Sequence, residues 1–149
     1  KSSYIDIPKS YSGGGGLLST IDDYMKFCNL LQNKGSIGEE NLIGSKTSEF
    51  MMSNHLTPNL PDDPLTSLFG AGRAWGLGFG ITGYVVTNPA ILGLPGSKGT
   101  YGWGGAASTY FWVDHEEELV GLVHTQLLPD ETYPVRELMQ LLTYQALVD

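Results

Sequence analysis

Histidine and cysteine, two residue types that often bind metals or act in catalysis, are sparse in this chain. Its three histidines, His55, His115 and His124, lie far apart and match no metal-ligand spacing. Cys28 is the only cysteine, which excludes an internal disulfide and any cysteine-based metal site. We expect no metal and no cofactor. Cys28 lies on the apolar stripe of a predicted helix, so we interpret it as a buried packing residue.

Other titratable residues are also interpreted as structural. The carboxylates of Asp114 and of residues 116–118 fall in a short polar turn between two predicted strands, where solvation explains them. His124 alternates with Val120 and Leu122 on one face of the second strand. This position favours a buried, hydrogen-bonded histidine over a catalytic base.

Trp103, Gly104 and Gly105 open a predicted strand, although glycine weakens strands. A residue without a Cβ lets another group approach the backbone closely. From these residues alone two interpretations stay open, namely close packing within a twisted sheet, or space for a ligand that lies against the strand. No obvious catalytic side chain accompanies them.

The first predicted element that could help to position this strand is a helix near the start of the chain. After an irregular lead-in over residues 1–12, the sequence predicts a helix over residues 17–34, with Ser19 or Thr20 as its N-cap and Gly35 near its end. Its apolar stripe consists of Ile21, Tyr24, Cys28 and Leu31.

Two further helices are predicted. A short one begins at Ser45, with Phe50 and either Met51 or Met52 facing inward. The last covers residues 132–147, with Thr132 as N-cap and Pro134 in the first helical position. Its apolar positions are Val135, Leu138 and Leu142, followed by Gln145 or Ala146.

Strands are predicted over residues 74–81 and in a hairpin over residues 100–126. In the first, Trp75 and later large apolar residues alternate with glycines, so another segment must pack closely on the glycine face. The hairpin consists of Trp103–Val113 and Glu118–Gln126. Its predicted register pairs Val113 with Glu118, Phe111 with Val120, Thr109 with Leu122, Ala107 with His124, and Gly105 with Gln126. Residues 83–99 show no clear pattern.

Together these elements predict an α+β fold in which helices flank an antiparallel sheet. The 149 residues are 41% hydrophobic, which is enough for the core of one domain. The net charge of −8 repels nucleic acid and anionic lipid. No apolar run approaches the length of a membrane span. We expect no nucleic-acid partner and no membrane segment.

Two segments together resemble serine hydrolases with the class C β-lactamase fold. These are the glycine-led helix GGGGLLSTIDDYMKFCNLLQNKG and the hairpin YGWGGAASTYFWVDHEEELVGLVHTQ. The family includes penicillin-binding DD-peptidases, class C β-lactamases and β-lactamase-like carboxylesterases, which are often periplasmic or secreted. The resemblance extends from about Tyr11 to the C-terminus. It implies the C-terminal part of an αβα sandwich, without the helical domain that carries the nucleophile.

The resemblance also implies roles for individual residues. The family uses a serine in S-x-x-K, a tyrosine in Tyr-x-Asn and a strand motif that reads K-T-G, H-x-G or, in the esterase-like branch, W-G-G. Only Trp103-Gly104-Gly105 matches in this sequence. The amide of Ala106 would then be one oxyanion donor, the two glycines would admit the substrate backbone, and Trp103 would wall the pocket. Gln126 would line the same cleft end or, alternatively, be a polar strand terminus.

The implied activity is acyl-enzyme hydrolysis by a parent protein, with this chain inactive alone. Its substrate would be a small-molecule ester, a β-lactam or a peptide. W-G-G lacks the lysine and threonine that hold a substrate carboxylate, which favours neutral esters. Two alternatives stay open: a non-catalytic binding or scaffold module with the same fold, and a segment that associates with a separate N-terminal fragment or with itself.

Overall fold

The computed structural model describes residues 6–7, 9–56, 76–130 and 132–148. This part of the chain contains the helices α1 (Ile21–Gln32), α2 (Ser45–Met51), α3 (Pro89–Leu92) and α4 (Val135–Gln145). Its strands are β1 (Ser36–Ile37), β2 (Glu40–Asn41), β3 (Leu77–Phe79), β4 (Tyr84–Val86), β5 (Tyr101–Gly105), β6 (Thr109–Asp114) and β7 (Leu119–Val123).

β3 to β7 form one antiparallel sheet in which every strand pairs with its neighbour in sequence. β1 and β2 form a separate short ribbon. α1 packs on one face of the large sheet, against β6 and β7, and α4 packs on the other. The predicted α+β class, an antiparallel sheet flanked by helices, is confirmed.

The prediction of one strand over Trp103–Val113 is wrong, because the chain reverses in the middle of it. β5 ends at Gly105, and residues 106–108 form a turn in which Ser108 has a φ of +56°. The Ser108 amide donates to the Gly105 carbonyl at 3.0 Å, and Gly105 pairs with Thr109. The predicted pairings of Gly105 with Gln126 and of Ala107 with His124 are therefore wrong as well.

The register of the second hairpin also differs from the prediction, by two residues. Val113 pairs with Val120 instead of Glu118, and Phe111 with Leu122. The Asp114 carboxylate accepts hydrogen bonds from the amides of Glu116 and Glu117 at 3.1 and 3.3 Å. These bonds fix a turn over residues 115–118, so pairing resumes only at Leu119.

The glycine face of β3 is covered by the segment that follows α2, as the sequence predicts. A Cβ on Gly80 would lie 2.5 Å from the Met51 carbonyl oxygen, and the Asn54 side chain occupies the space beside Gly78. Asn54 Oδ1 also accepts the Phe79 amide at 3.0 Å. Residues 74 and 75 of the predicted strand, Trp75 included, lie outside the described residues.

α1 packs its apolar stripe onto β6 and β7. The Thr20 hydroxyl caps the helix by accepting the Asp23 amide, and Cys28 and Leu31 are buried in one cluster with Phe111 and Val113. Burial raises the pKa of the Cys28 thiol to about 11, so the thiol stays protonated at neutral pH. This agrees with a packing role.

Not every predicted inward residue is buried. Ile21 of the α1 stripe is 47% exposed and Phe50 of α2 is 58% exposed, whereas Met52 is buried. The ring of Phe50 packs instead edge-on against His55, with centroids 4.5 Å apart. The prediction for Phe50 is wrong because α2 turns Ser48, not Phe50, towards the interior.

Hydrogen bonds of the Tyr110 and Tyr144 hydroxyls hold α4 to the sheet. Pro134 is the N-cap residue, and the Thr132 hydroxyl donates to the Pro129 carbonyl, so the predicted Thr132 cap is wrong. Leu138 and Leu142 are about half exposed. The inward face of the helix carries Gln140, which is 7% exposed.

Asp114 is fully buried, so its interpretation as a solvated turn residue is wrong. Its Oδ2 accepts the Tyr144 hydroxyl at 2.6 Å and the Ser97 amide at 3.0 Å. Burial alone would raise the pKa of Asp114, but the hydrogen bonds from Tyr144, Glu117 and Ser97 outweigh it and lower the pKa. This carboxylate ties the β6–β7 turn to the last turns of α4.

Candidate functional site

The strand motif lies at the end of β5, where the sheet narrows. β4 pairs with β5 only at Tyr101 and Gly102, so Trp103–Gly105 pair with β6 alone among the described strands. Trp103 is half-buried and packs edge-on against Phe79, with ring centroids 5.3 Å apart. The backbone beyond Gly102 therefore has one side that no described strand covers.

The two glycines of the motif have close neighbours on their Cβ sides. A Cβ on Gly104 would collide with the guanidinium of Arg136, and one on Gly105 would lie 2.5 Å from the Thr109 hydroxyl oxygen. Packing against these side chains is thus the steric reason for both glycines in this structure. The space expected there for a substrate backbone is thus occupied by the side chains of Arg136 and Thr109.

The turn over residues 106–108 is anchored by the segment that follows β7. The Thr125 hydroxyl donates to the Ala107 carbonyl at 2.7 Å, and the Leu127 amide donates to the same oxygen at 3.2 Å. In return, the Ser108 hydroxyl donates to the Leu127 carbonyl at 3.0 Å. These bonds fix the turn from outside the hairpin.

Ala106 is the exposed residue of this turn. No hydrogen bond within the described part of the chain uses its amide, although the neighbouring backbone groups of the turn are bonded. A backbone N–H that has no partner in the protein can donate to an oxygen that gains negative charge.

Gln126 and His124 lie near this turn but not beside the glycines. Gln126 is exposed, and its side chain donates to the Thr125 carbonyl at 2.9 Å. His124 is exposed too, so the interpretation as a buried histidine is wrong. β7 ends at Val123, and the imidazole contacts the Tyr24 ring with centroids 5.6 Å apart.

Arg136 is the residue of this region that sequence reasoning missed. Its guanidinium lies beside Gly104 and 5.6 Å from the centre of the Tyr110 ring. The Tyr110 hydroxyl donates to the carbonyls of Val135 and Arg136 at 3.1 and 2.8 Å, which holds the start of α4 against β6. Burial raises the pKa of Tyr110, so the phenol stays a donor. A lone arginine in a helix gives no sequence signal for this placement.

Among the described residues, no cluster of three His, Cys, Asp or Glu side chains could hold a metal ion. No helix in the same ranges is long and apolar enough to cross a bilayer.

The chain is similar in sequence to a known family and to two curated proteins. The family model for Beta-lactamase matches residues 2–145. Protein Rv1367c of Mycobacterium tuberculosis is 33% identical over 131 residues, which cover 85% of this chain and 32% of that protein. Acyltransferase calJ of Penicillium decumbens is 28% identical over 137 residues, which cover 83% of this chain and 30% of that protein. The chain therefore spans about a third of the length of these relatives.

Solved structures share the fold. EstCE1, a hydrolase with promiscuous acyltransferase activity, superposes with a TM-score of 0.71 at 22% identity, over 93% of this chain and 33% of its own. Simvastatin synthase (LovD) from Aspergillus terreus superposes with a TM-score of 0.61 at 21% identity, over 78% of this chain and 30% of its own. The same arrangement of sheet and helices thus occurs in both.

Proposed function

Because this chain belongs to the beta-lactamase family, we propose that it supplies a backbone oxyanion donor to the acyl-transfer site of a serine hydrolase or acyltransferase. The proposal rests on the backbone amide of Ala106. Ala106 is an exposed residue in an anchored turn directly after W-G-G, and its amide has no hydrogen-bond partner within the described residues. A donor that is already fixed needs no reorganisation when charge develops on the substrate carbonyl oxygen.

The reaction requires a nucleophile that these 149 residues do not offer in the family's form. The sequence contains no S-x-x-K and no Tyr-x-Asn. In the proposed reaction a serine oxygen from another segment attacks the carbonyl carbon, and the oxyanion forms within reach of Ala106. Loss of the leaving alcohol gives the acyl-enzyme, and water or an acceptor alcohol then releases the acyl group.

Neutral esters are the proposed substrate class. Trp103 and Gly104 stand where other family members carry the lysine and threonine of K-T-G, so the strand offers no such groups to a substrate carboxylate. The hydrolase and acyltransferase activities named for EstCE1 and the acyltransferase name of calJ agree with acyl transfer. β-Lactams and peptides are the less favoured substrates.

A non-catalytic binding or scaffold module is the second candidate function. The observation that favours it is the absence of both catalytic motifs from the sequence. The two functions differ in whether a nucleophile-bearing segment is encoded with this chain.

The test compares Ala106→Pro with Ala106→Gly in the full product of the gene that encodes these residues. Proline removes the amide hydrogen, whereas glycine keeps it. We expect Ala106→Pro to lower kcat for p-nitrophenyl butyrate by about 100-fold with little change in KM, because one oxyanion donor is worth about that much. Ala106→Gly should keep most of the activity.

The 149-residue chain alone provides the second measurement. It should neither turn over p-nitrophenyl butyrate nor show an acyl adduct by mass spectrometry, since it lacks the nucleophile motif. Equal kcat for the two Ala106 variants would refute the donor role. Serine-dependent turnover by the isolated chain would refute the assignment of the nucleophile to another segment.

A further inference from the structure

Thr109 places a hydroxyl group beside the turn over residues 106–108. It is the first residue of β6 and pairs with Gly105, the last residue of β5. The side chains of paired residues lie on the same face of a sheet, and Gly105 has none, so Thr109 leans over it. The Thr109 hydroxyl oxygen lies 2.5 Å from the position that a Cβ on Gly105 would take. The hydroxyl thus lies over the residue whose carbonyl carbon is bonded to the Ala106 nitrogen.

Two neighbouring hydroxyls already serve the turn. The Ser108 hydroxyl donates to the Leu127 carbonyl at 3.0 Å. The Thr125 hydroxyl donates to the carbonyls of Ala107 and Ser108 at 2.7 and 3.0 Å. No hydrogen bond within the described part of the chain uses the Thr109 hydroxyl, and this oxygen is not one of the buried atoms that lack a partner. Since Thr109 is half-buried, its hydroxyl therefore reaches solvent, where a ligand can meet it.

An aromatic side chain adjoins this hydroxyl on the same face of the sheet. Trp103 lies two residues before Gly105 in β5, and residues two apart in a strand share a face. The Trp103 indole packs against the Phe79 ring, with centroids 5.3 Å apart. The Arg136 guanidinium lies beside Gly104, on the opposite face. A ligand over Gly105 therefore meets a neutral hydroxyl and an aromatic ring, not the guanidinium.

We propose that the Thr109 hydroxyl selects acyl groups that carry a neutral hydrogen-bonding substituent, such as a hydroxyl, close to the reacting carbonyl. This inference rests on the function proposed for Ala106 and extends it to the choice of substrate. A carbonyl oxygen bound at the Ala106 amide brings the first carbons of the acyl chain towards Gly105. A hydroxyl on these carbons can donate to Thr109 or accept from it. Trp103 contacts the apolar remainder of the acyl chain.

Methyl 3-hydroxybutyrate and methyl butyrate differ by one hydroxyl and form the substrate pair. The full product of the gene that encodes these residues is assayed with each ester in a pH-stat, and the ratio of the two kcat/KM values is compared between variants. Thr109→Val removes the hydroxyl and keeps the shape of the side chain. We expect it to lower the preference for the hydroxy ester by about threefold to tenfold, the value of one hydrogen bond between neutral groups. Thr109→Ser keeps a hydroxyl and should keep the preference.

Thr125→Val is the matched control, because it removes a hydroxyl that anchors the turn without lying over Gly105. It should lower kcat/KM for both esters by the same factor and leave their ratio unchanged. An equal ratio for Thr109→Val and the unsubstituted protein would overturn the inference, and so would an equal loss of preference in Thr125→Val.

Ala106→Pro separates this inference from the function on which it rests. If Ala106→Pro hydrolyses both esters as fast as the unsubstituted protein, or if the unsubstituted protein hydrolyses neither ester, the donor role fails and the inference fails with it. If Ala106→Pro slows both reactions while Thr109→Val keeps the preference, the donor role stands and the selection by Thr109 is refuted.

Discussion

Asp114 shows how much one side chain contributes to this fold. It is fully buried and accepts hydrogen bonds from two backbone amides of its own turn, from the Ser97 amide and from the Tyr144 hydroxyl. Hydrogen bonds to a charged acceptor contribute about 1.5 to 3 kcal/mol each. Ionisation of the carboxylate therefore strengthens the hydrogen bonds that join the hairpin turn to α4.

Asp114→Asn should lower the free energy of unfolding at pH 7 by about 2 to 4 kcal/mol, because an amide NH₂ would face donors that now meet oxygen. Urea denaturation followed by circular dichroism measures this change. Glu116→Gln, which alters an exposed carboxylate of the same turn, is the control and should change stability by less than about 0.5 kcal/mol. Equal effects of the two substitutions would contradict the role of Asp114.

The pH dependence follows from the lowered pKa of Asp114. A folded-state pKa below the unfolded value means that the stabilisation is complete above about pH 4 and is lost as the pH falls through the folded pKa. As the pH falls from about 5 to about 3, the unsubstituted chain should therefore lose more stability than the Asp114→Asn variant does.

The role of Asp114 could not be predicted from its sequence position. An aspartate followed by three glutamates in a polar turn is most often solvated, and the sequence gives no sign that Tyr144 lies near it. The position of Arg136 beside Gly104 could not be predicted for the same reason. The Arg136–Gly104 and Asp114–Tyr144 contacts both join residues that are far apart in the chain. W-G-G itself was found because its residues are consecutive.

At the scale of elements, local patterns predicted more. Alternating glycines predicted the close packing on β3, and Thr20 was correctly identified as one of two possible caps of α1. β4 and α3 were missed because three and four residues are too few to show a period. The continuous strand through Ala106 was wrong because Ala106, Ala107 and Ser108 carry no strong turn signal.

Gly80→Ala tests the contact that Gly80, the residue after β3, makes with the end of α2. The new methyl group would meet the Met51 carbonyl oxygen, which also accepts the Ile81 amide at 2.8 Å and so cannot move freely. We expect a loss of about 1 to 3 kcal/mol in the free energy of unfolding, measured by urea denaturation. Gly15→Ala, with no atom within 4 Å of the added Cβ, is the control and should change stability little.

At the scale of the whole molecule, apolar surface is exposed on both helices that flank the sheet. Leu138 and Leu142 of α4 are 49% and 56% exposed, and Ile21 and Phe27 of α1 are 47% and 40% exposed. Exposed apolar patches of this kind favour association with another surface. In the isolated chain the available partner is a second copy.

Sedimentation velocity should show the mass of the isolated chain rising above 16.1 kDa as its concentration increases. The double substitution Leu138→Glu and Leu142→Glu should weaken this self-association more than about tenfold. The contact would no longer bury the apolar side chains of these two half-buried leucines. Gln145→Glu adds charge on the same helix without removing apolar surface and should have little effect. A compact monomer at every concentration would argue against association through α4.

The strand order of the sheet also bears on how the chain folds. Since β3 to β7 pair in the order in which they are synthesised, each pairing joins strands that are neighbours in sequence, and such local topologies fold faster than sheets built from distant segments. The distant step is the docking of α1, where the His115 imidazole meets the Leu31 carbonyl across 84 residues. The sheet of β3 to β7 can therefore form before α1 docks on it. We expect substitutions of Phe111 and Val113 to change the folding rate more than substitutions of any residue in α1.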